Sequence, residues 1–291
     1  MTRPPERLDV ALRRATERLA AAGVASPRAD AETLAAHLLR AGRAEVVAAA
    51  LRGADAPEGL DDLVAERARR VPLQHLTGRA GFRTVELDVG PGVFVPRPET
   101  ELVAGAAVEE ARRLAGTGRR PVVVDLCTGS GAIALAVAVE VPAADVHAVE
   151  VDLQAHAWAA RNLAASGVDL RLGDAADAFT DLDGTVDVVV SNPPYIPPDA
   201  VPVDAEVRDH DPQVALYGGG PDGLDVPRAV LAAAARLLRP GGLVVVEHAD
   251  TQGEALLAVL TGGPWEHAAG HVDLAGRARF SSARRCQTDP S

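Results

Sequence analysis

Lysine is missing from this chain: all 29 basic residues are arginine, set against 41 acidic ones, for a net charge of −12. So acidic a balance argues against broad, phosphate-dominated contact with nucleic acid, which needs a basic face. Arginine-only usage beside abundant alanine fits a coding bias better than any arginine-specific chemistry. Cysteine is scarce as well. Cys127 and Cys286 are the two present, and neither has a second Cys or His at ligand spacing, so no disulfide framework and no metal site are expected. Although 47% of the residues are hydrophobic, no apolar run approaches the roughly 20 residues of a bilayer span, so no membrane partner is expected. The opening Met1-Thr2-Arg3-Pro4-Pro5-Glu6-Arg7 lacks the apolar core of a secretory signal, which makes the cytoplasm the expected compartment.

What remains is a chain of 291 residues, enough for a core-bearing domain with a smaller one attached. Leu8, Ala11, Leu12, Ala15, Leu19 and Ala22 recur at three- and four-residue steps and predict a helix from Glu6 to Ala22, stopped by Gly23. Ser26-Pro27 supplies an N-cap and a first-turn proline for a second helix, apolar at Ala31, Leu34, Ala35, Leu38 and Leu39 and ending near Gly42. A third short helix runs through Ala50 and a fourth from Leu60 to Arg70. This helical region carries no obvious catalytic group; packing, dimerisation and clamping of a macromolecular substrate all fit it.

Between Gly78 and Pro96 the pattern changes. Thr84–Val89 and Val93–Val95, separated by Gly90-Pro91-Gly92, predict a hairpin or an extended linker. From Glu99 to Leu114 the period is helical, and strand then alternates with helix. Strands are expected at 122–126, 146–150, 170–172, 186–191 and 243–247, and helices at 132–140, 154–165, 225–238 and 251–260. That alternation predicts an α/β fold with a mainly parallel sheet covered on both faces, its ligands gathered at the carboxyl ends of the strands.

Two places carry the chemistry. Val122–Leu126 runs into Cys127-Thr128-Gly129-Ser130-Gly131 and then a helix. Small residues let a nucleoside approach the backbone, and the helix amino terminus offers free N–H groups. Roughly 20 residues on, Glu150 ends the next strand, where a carboxylate can accept from both ribose hydroxyls. Asp152, in the connection that follows, is the competing candidate. Asp174-Ala175 closes the third strand and is placed to border the adenine. The second place is Asn192-Pro193-Pro194-Tyr195, at the end of the buried run 186–191. An amide nitrogen is a poor nucleophile, so its two hydrogens must be held while an electrophilic sulfonium methyl approaches. The Asn192 side-chain oxygen and the Pro193 carbonyl can each accept one, proline's fixed φ aims that carbonyl, and Tyr195 can stack on the planar group. No dedicated general base is visible.

These residues resemble the protein-(glutamine-N5) methyltransferase family that modifies peptide chain release factors. The resemblance spans most of the chain. It includes Pro72-Leu73-Gln74-His75-Leu76-Thr77-Gly78, Val95-Pro96-Arg97-Pro98-Glu99-Thr100-Glu101, the Asp125–Gly131 turn, the Asn192 tetrapeptide, Ala215-Leu216-Tyr217-Gly218-Gly219 with Asp222-Gly223-Leu224-Asp225, and Pro240-Gly241-Gly242. It implies a class I S-adenosylmethionine-dependent methyltransferase, Rossmann-like, with a seven-stranded mainly parallel sheet and a small N-terminal helical domain. The implied divisions are a substrate-docking domain at 1–75, a β-hairpin linker at 76–96 and a methyltransferase domain at 97–291. Cofactor contact would fall on Cys127, Thr128, Gly129, Ser130, Gly131, Glu150, Asp174, Ala175 and Asn192. Substrate contact would fall on Asn192, Pro193, Pro194 and Tyr195, with Asn192, Pro193 and Tyr195 catalytic. The implied substrate is the glutamine of the Gly-Gly-Gln loop in class I release factors, methylated on N5. Cys127 stands where glycine is common, Glu150 where aspartate is common, and Glu247-His248-Ala249 where Glu-Ile-Gly is usual.

The same tetrapeptide serves methylation of the adenine exocyclic amine. Against an N6-adenine enzyme stand the net charge of −12, the four Phe and two Trp and the lack of an added basic recognition domain, so no direct nucleic-acid partner is expected. A silent adaptor retaining the cofactor fold is the other alternative, opposed by the intact Asn192 and Tyr195.

Overall fold

The computed structural model describes residues 6–287; Met1–Pro5, part of the opening read above for a signal, lie outside the described residues. Five helices come first: α1 (Leu8–Ala21), α2 (Pro27–Leu39), α3 (Arg43–Leu51), α4 (Leu60–Ala68) and α5 (Leu73–Thr77). The apolar stripe of α1 is the buried one, with Leu8, Ala11, Leu12, Ala15 and Leu19 inside. Pro27 opens α2, but Ser26 makes no side-chain cap, and the helix stops at Arg40, which takes the left-handed conformation before Gly42 is reached. Glu45 instead supplies a cap for α3 by accepting the Gly42 N–H at 2.8 Å. The short α5 lies inside the Pro72–Gly78 motif and has too few residues to show a period.

The chain then forms β1 (Arg79–Phe82), β2 (Val85–Asp88), α6 (Thr100–Ala115), β3 (Val122–Leu126), α7 (Ala132–Glu140), β4 (Asp145–Glu150), α8 (Leu153–Leu163), β5 (Asp169–Leu172) and β6 (Val186–Ser191). After α9 (Ala205–His210) come α10 (Asp225–Leu237), β7 (Leu238–Glu247), α11 (Gly253–Thr261), β8 (Trp265–Val272) and β9 (Ala278–Arg285). The hairpin is β1 with β2, turning at Arg83-Thr84, one strand earlier than expected. Val93–Val95 is not a strand, because Gly90, Pro91 and Pro96 hem it in and the prolines have no N–H for a ladder.

Two compact units emerge: residues up to Arg79 together with Pro202–His210, and Ala80–Val201 together with Asp211 onward. The first has its own core of Leu8, Leu12, Leu19, Leu34, Val46, Leu60 and Val64. Its α9 is fastened by arginines. Arg67, nearly buried, reaches Asp30 at 2.8 Å and Glu206 at 2.7 Å, and Arg70 reaches Glu206 at 3.1 Å. Such a buried cluster holds only while every charge keeps its partner.

The second unit is a seven-stranded sheet of order β5-β4-β3-β6-β7-β9-β8. β5, β4, β3, β6 and β7 are parallel, and β9 runs antiparallel to β7 and β8. Successive residues of a strand face opposite ways. Accordingly Val123, Val188, Val190 and Val245 pack with α6 and α7 on one face, while Val124, Leu126, Val189, Val244 and Val246 pack with α10 and α11 on the other. The seven-stranded, mainly parallel architecture is as expected. β8 and β9 were not anticipated, because their Arg, His, Glu and Gly content hides an alternation of which one face alone is covered. β7 starts at Leu238, taking in Pro240-Gly241-Gly242 through a register shift against β6. Since β4 and β5 extend from one side of β3 and β6 and β7 from the other, the strand order reverses between β3 and β6. A crevice forms at such a switch point.

Candidate active site

Both strands that flank the switch point end on the expected residues. Leu126 of β3 is in register with Ser191 of β6, and the Ser191 hydroxyl donates to the Leu126 carbonyl at 2.6 Å. Cys127 and Asn192 therefore leave the sheet side by side. The glycine turn is folded around Asp125, whose Oδ2 accepts from the Thr128 hydroxyl at 2.5 Å and from the Ala134 N–H at 3.1 Å. Burial pushes the Asp125 carboxyl up to about 7, and its Oδ1 has no hydrogen-bond partner. Gly131 caps α7. Cys127 sits at φ +62°, left-handed backbone that suits glycine and strains any residue with a Cβ. Its departure from glycine thus has a conformational cost that size alone did not reveal.

Glu150, 8% exposed, is tied down by main chain. Gly129 N–H donates to Oε2 at 2.8 Å, and Val151 and Asp152 N–H both donate to Oε1 at 2.9 Å. Burial raises this carboxyl above its ordinary range, against those three N–H groups. With two acceptor positions on each oxygen, Oε1 is filled and Oε2 keeps one for a ligand hydroxyl. Asp152 is the N-cap of α8, its Oδ1 accepting from Gln154 and Ala155 N–H, each at 2.9 Å. Asp174 accepts the Ala176 N–H at 2.9 Å, and Ala175 is buried beside it. A small-residue turn, a strand-end carboxylate with an open acceptor position and an orphaned buried carboxylate oxygen fit a nucleoside carrying an amino-acid tail.

The tetrapeptide is braced from three sides. Asn192 donates its Nδ2–H to Thr100 Oγ1 at 3.2 Å, which leaves Oδ1 to accept. Tyr195 and Ile196 donate backbone N–H to the Leu216 carbonyl at 3.2 and 2.8 Å. The Tyr195 carbonyl accepts from Gln252 Nε2 at 2.7 Å, and Gln252 also holds the Asp222 carbonyl at 2.8 Å. Glycine is required where the strap from 216 to 224 crosses: a Cβ on Gly218 would lie 2.6 Å from the Pro194 carbonyl oxygen, and one on Gly223 2.2 Å from that of Tyr195. The Tyr195 hydroxyl reaches Glu247 Oε1 at 3.4 Å, and burial, reinforced by Glu247, raises the phenol above its usual range.

Thr100, Glu247 and Gln252 were not singled out as functional by the sequence. A signal for Glu247 existed: it ends β7 as Glu150 ends β4. It is 2% exposed, and burial pushes it up to about 7, countered by the Thr100 hydroxyl and Arg279. The neighbouring His248 accounts for the departure at 247–249. Fully buried, it meets the Ala249 carbonyl through Nδ1 at 2.8 Å and the Ser281 hydroxyl through Nε2 at 3.0 Å. Since a carbonyl only accepts, Nδ1 carries the proton and Nε2 accepts from Ser281. His248 is a neutral brace between β7 and β9, kept uncharged by burial.

Comparison with known proteins adds the following. Residues 10–78 match the family described as the PrmC N-terminal domain, and residues 110–206 the methyltransferase small domain. A release factor glutamine methyltransferase of Streptomyces coelicolor is 56% identical over 273 residues, covering 93% of this chain and 95% of the relative. One of Mycolicibacterium smegmatis is 49% identical over 282 residues, covering 96% and 98%. Among solved structures, the Thermus thermophilus 16S rRNA N2 G1207 methyltransferase in complex with AdoMet and guanosine superposes with a TM-score of 0.50 at 24% identity, over 71% of this chain and 49% of that one. At that identity the likeness speaks for the fold alone.

Proposed function

The chain belongs to the release factor glutamine methyltransferase family and is an S-adenosylmethionine-dependent methyltransferase, and from that premise we propose that it methylates N5 of the glutamine in the Gly-Gly-Gln motif of class I peptide chain release factors. The observation that carries this reading is the Asn192 amide, fixed by Thr100 at the carboxyl end of β6 with its oxygen left to accept. S-adenosylmethionine, when bound, supplies an electrophilic methyl group. Cys127, Thr128, Gly129, Ser130, Gly131, Glu150, Asp174 and Ala175 would hold it, Glu150 through the remaining acceptor position of Oε2. Asn192 Oδ1 and the Pro193 carbonyl would take the two N–H groups of the substrate amide, and Pro194 and Tyr195 would flank its plane. Held so, with a side chain stacked on one face of the amide plane, the nitrogen is left open on the other, one N–H proton leaves during or after methyl transfer, and the rate gain is one of orientation and polarisation.

The helical unit at the amino terminus is read as the surface that docks the release factor, with the hairpin following it as linker, and the cytoplasm as the compartment where that substrate is met. Among the described residues no helix is long and apolar enough to cross a membrane. Incubation with methyl-labelled S-adenosylmethionine, a class I release factor and an adenine-containing duplex tests the reading. Label on the Gly-Gly-Gln glutamine is expected; label on the duplex, or on no substrate, would overturn it.

A further inference from the structure

Tyr195 can flank the plane of a substrate amide only if its ring is held in one place. Two contacts bear on that place. Its hydroxyl reaches Glu247 Oε1 at 3.4 Å, too long to fix the ring firmly. Its carbonyl is met at 2.7 Å by Gln252 Nε2, at the short end of the range for N–H···O bonds. The grip on the main chain is therefore the stronger one.

Gln252 comes from the short turn Asp250–Gln252 between β7 and α11 and is 6% exposed. Its amide has a single workable orientation. The Tyr195 and Asp222 carbonyls, at 2.7 and 2.8 Å from Nε2, can only accept, and the Ala249 N–H, 2.9 Å from Oε1, can only donate. Turned over, the amide would set its oxygen against two carbonyls. Both N–H groups are thus spent on backbone, and neither is left for a substrate. The two carbonyls belong to segments already knitted together. Ile196 N–H donates to the Leu216 carbonyl at 2.8 Å and Gly218 N–H to the Ile196 carbonyl at 3.0 Å, while a Cβ on Gly223 would lie 2.2 Å from the Tyr195 carbonyl oxygen. Where the strap presses so closely on the tetrapeptide, one nitrogen joins them.

We propose that Gln252 is a positioning residue for methyl transfer: by binding the Tyr195 and Asp222 carbonyls to one nitrogen it sets where the Tyr195 ring stands against the reacting amide. The inference rests on the amide-methylation reading. The Ala249 contact is a separate duty, closing the turn after β7, and the two duties can be taken apart. Glutamate at this position keeps the size and the acceptor toward Ala249, but it has no donor when ionised and one at most when protonated.

The test measures kcat and KM with a class I release factor and Kd for S-adenosylmethionine in wild type, Gln252→Glu, Gln252→Met, Tyr195→Ala and Gln252→Glu combined with Tyr195→Ala, at a temperature where thermal melts show each folded. Gln252→Glu and Gln252→Met should each lower kcat about 10- to 100-fold, the scale of a small misplacement near the reacting atoms, with the cofactor Kd unchanged. Once the ring is gone nothing is left to position, so the double variant should match Tyr195→Ala within about twofold. Wild-type kcat in Gln252→Glu, a loss confined to KM or Kd, or losses that multiply in the double variant would each overturn the proposal. Should Gln252→Glu fail to fold, Gln252→Met takes its place in the double variant. A wild-type enzyme that leaves the release factor unlabelled sinks the amide reading and this inference with it; an active wild type with multiplying losses sinks the inference alone.

Discussion

Glu150 and Glu247 end parallel strands of one sheet, both buried, and they are held in opposite ways. Glu150 is gripped by three backbone N–H groups, so its place follows from the course of the main chain through the glycine turn and the start of α8. Glu247 is met by a side chain, the Tyr195 hydroxyl at 3.4 Å from Oε1, and its Oε2 has no hydrogen-bond partner. A carboxylate fixed by main chain is a stationary acceptor suited to binding. One fixed by side chains has an occupancy and charge that its neighbours control, which suits it to tuning. The cofactor end is thus a backbone device and the amide end a side-chain device, and substitutions can break or sharpen that contrast.

The largest effect belongs at the amide end. Asn192→Ala should cut kcat by about 10² to 10³ or more, the scale of losing one placed transition-state hydrogen bond, while calorimetry finds cofactor binding largely intact. Near-normal turnover would remove Asn192 from its role. Glu150→Ala should do the converse, weakening S-adenosylmethionine about 10- to 100-fold in Kd, as expected for hydrogen bonds to a charged group. Asp152→Ala should leave Kd alone and cost about 1 kcal/mol of stability through the lost α8 cap. A Kd that ignored Glu150→Ala and responded to Asp152→Ala would transfer the ribose contact to Asp152.

The two carboxylates should also part in their pH behaviour. Glu247 has a folded-state pKa raised from an ordinary 4.5 to about 7. A raised carboxyl favours the fold while both states are protonated, and that advantage is lost as pH climbs through this window. Glu247→Gln removes the buried charge, so relative to wild type it should be more stable at pH 8 than at pH 4, by about 3 kcal/mol between the two. Asp125, also raised to about 7, remains in both proteins and cancels from the difference. Thermal melts of the pair at both pH values measure it, and a gap that did not change with pH would mean that Glu247 titrates normally.

Much of this was legible in the sequence because the parallel strands are buried on both faces and read as apolar runs: Val186–Ser191 and Val122–Leu126 lie within one residue of expectation. The glycine turn and the tetrapeptide were legible because their residue types are dictated by local backbone needs. The Thr100–Asn192 hydrogen bond was not, since it joins the first turn of α6 to the residue after β6, and no periodicity reports a contact of that span. Trp265–Val272 and Ala278–Arg285 escaped for a different reason. Strands with one covered face carry polar residues at alternate positions, and in the edge strand Trp265–Val272 histidine, glutamate and glycine blur even that.

The smallest effect probes the backbone side of the contrast. If the cofactor end is made by main chain, the Cys127 side chain should be dispensable for binding although its φ of +62° is not. Cys127→Ala keeps a Cβ in left-handed backbone and gives up the sulfur; Cys127→Gly gives up both. Relief of left-handed strain is worth about 1 to 2 kcal/mol, and the added freedom of an unfolded glycine takes back about 0.4 to 1. Glycine should therefore come out more stable than alanine by about 1 kcal/mol or less, with the same S-adenosylmethionine Kd in both. An alanine variant as stable as the glycine one would show that the turn bears no strain at Cys127. A Kd that changed with either would give the sulfur a part in holding the cofactor and blur the contrast with Glu247.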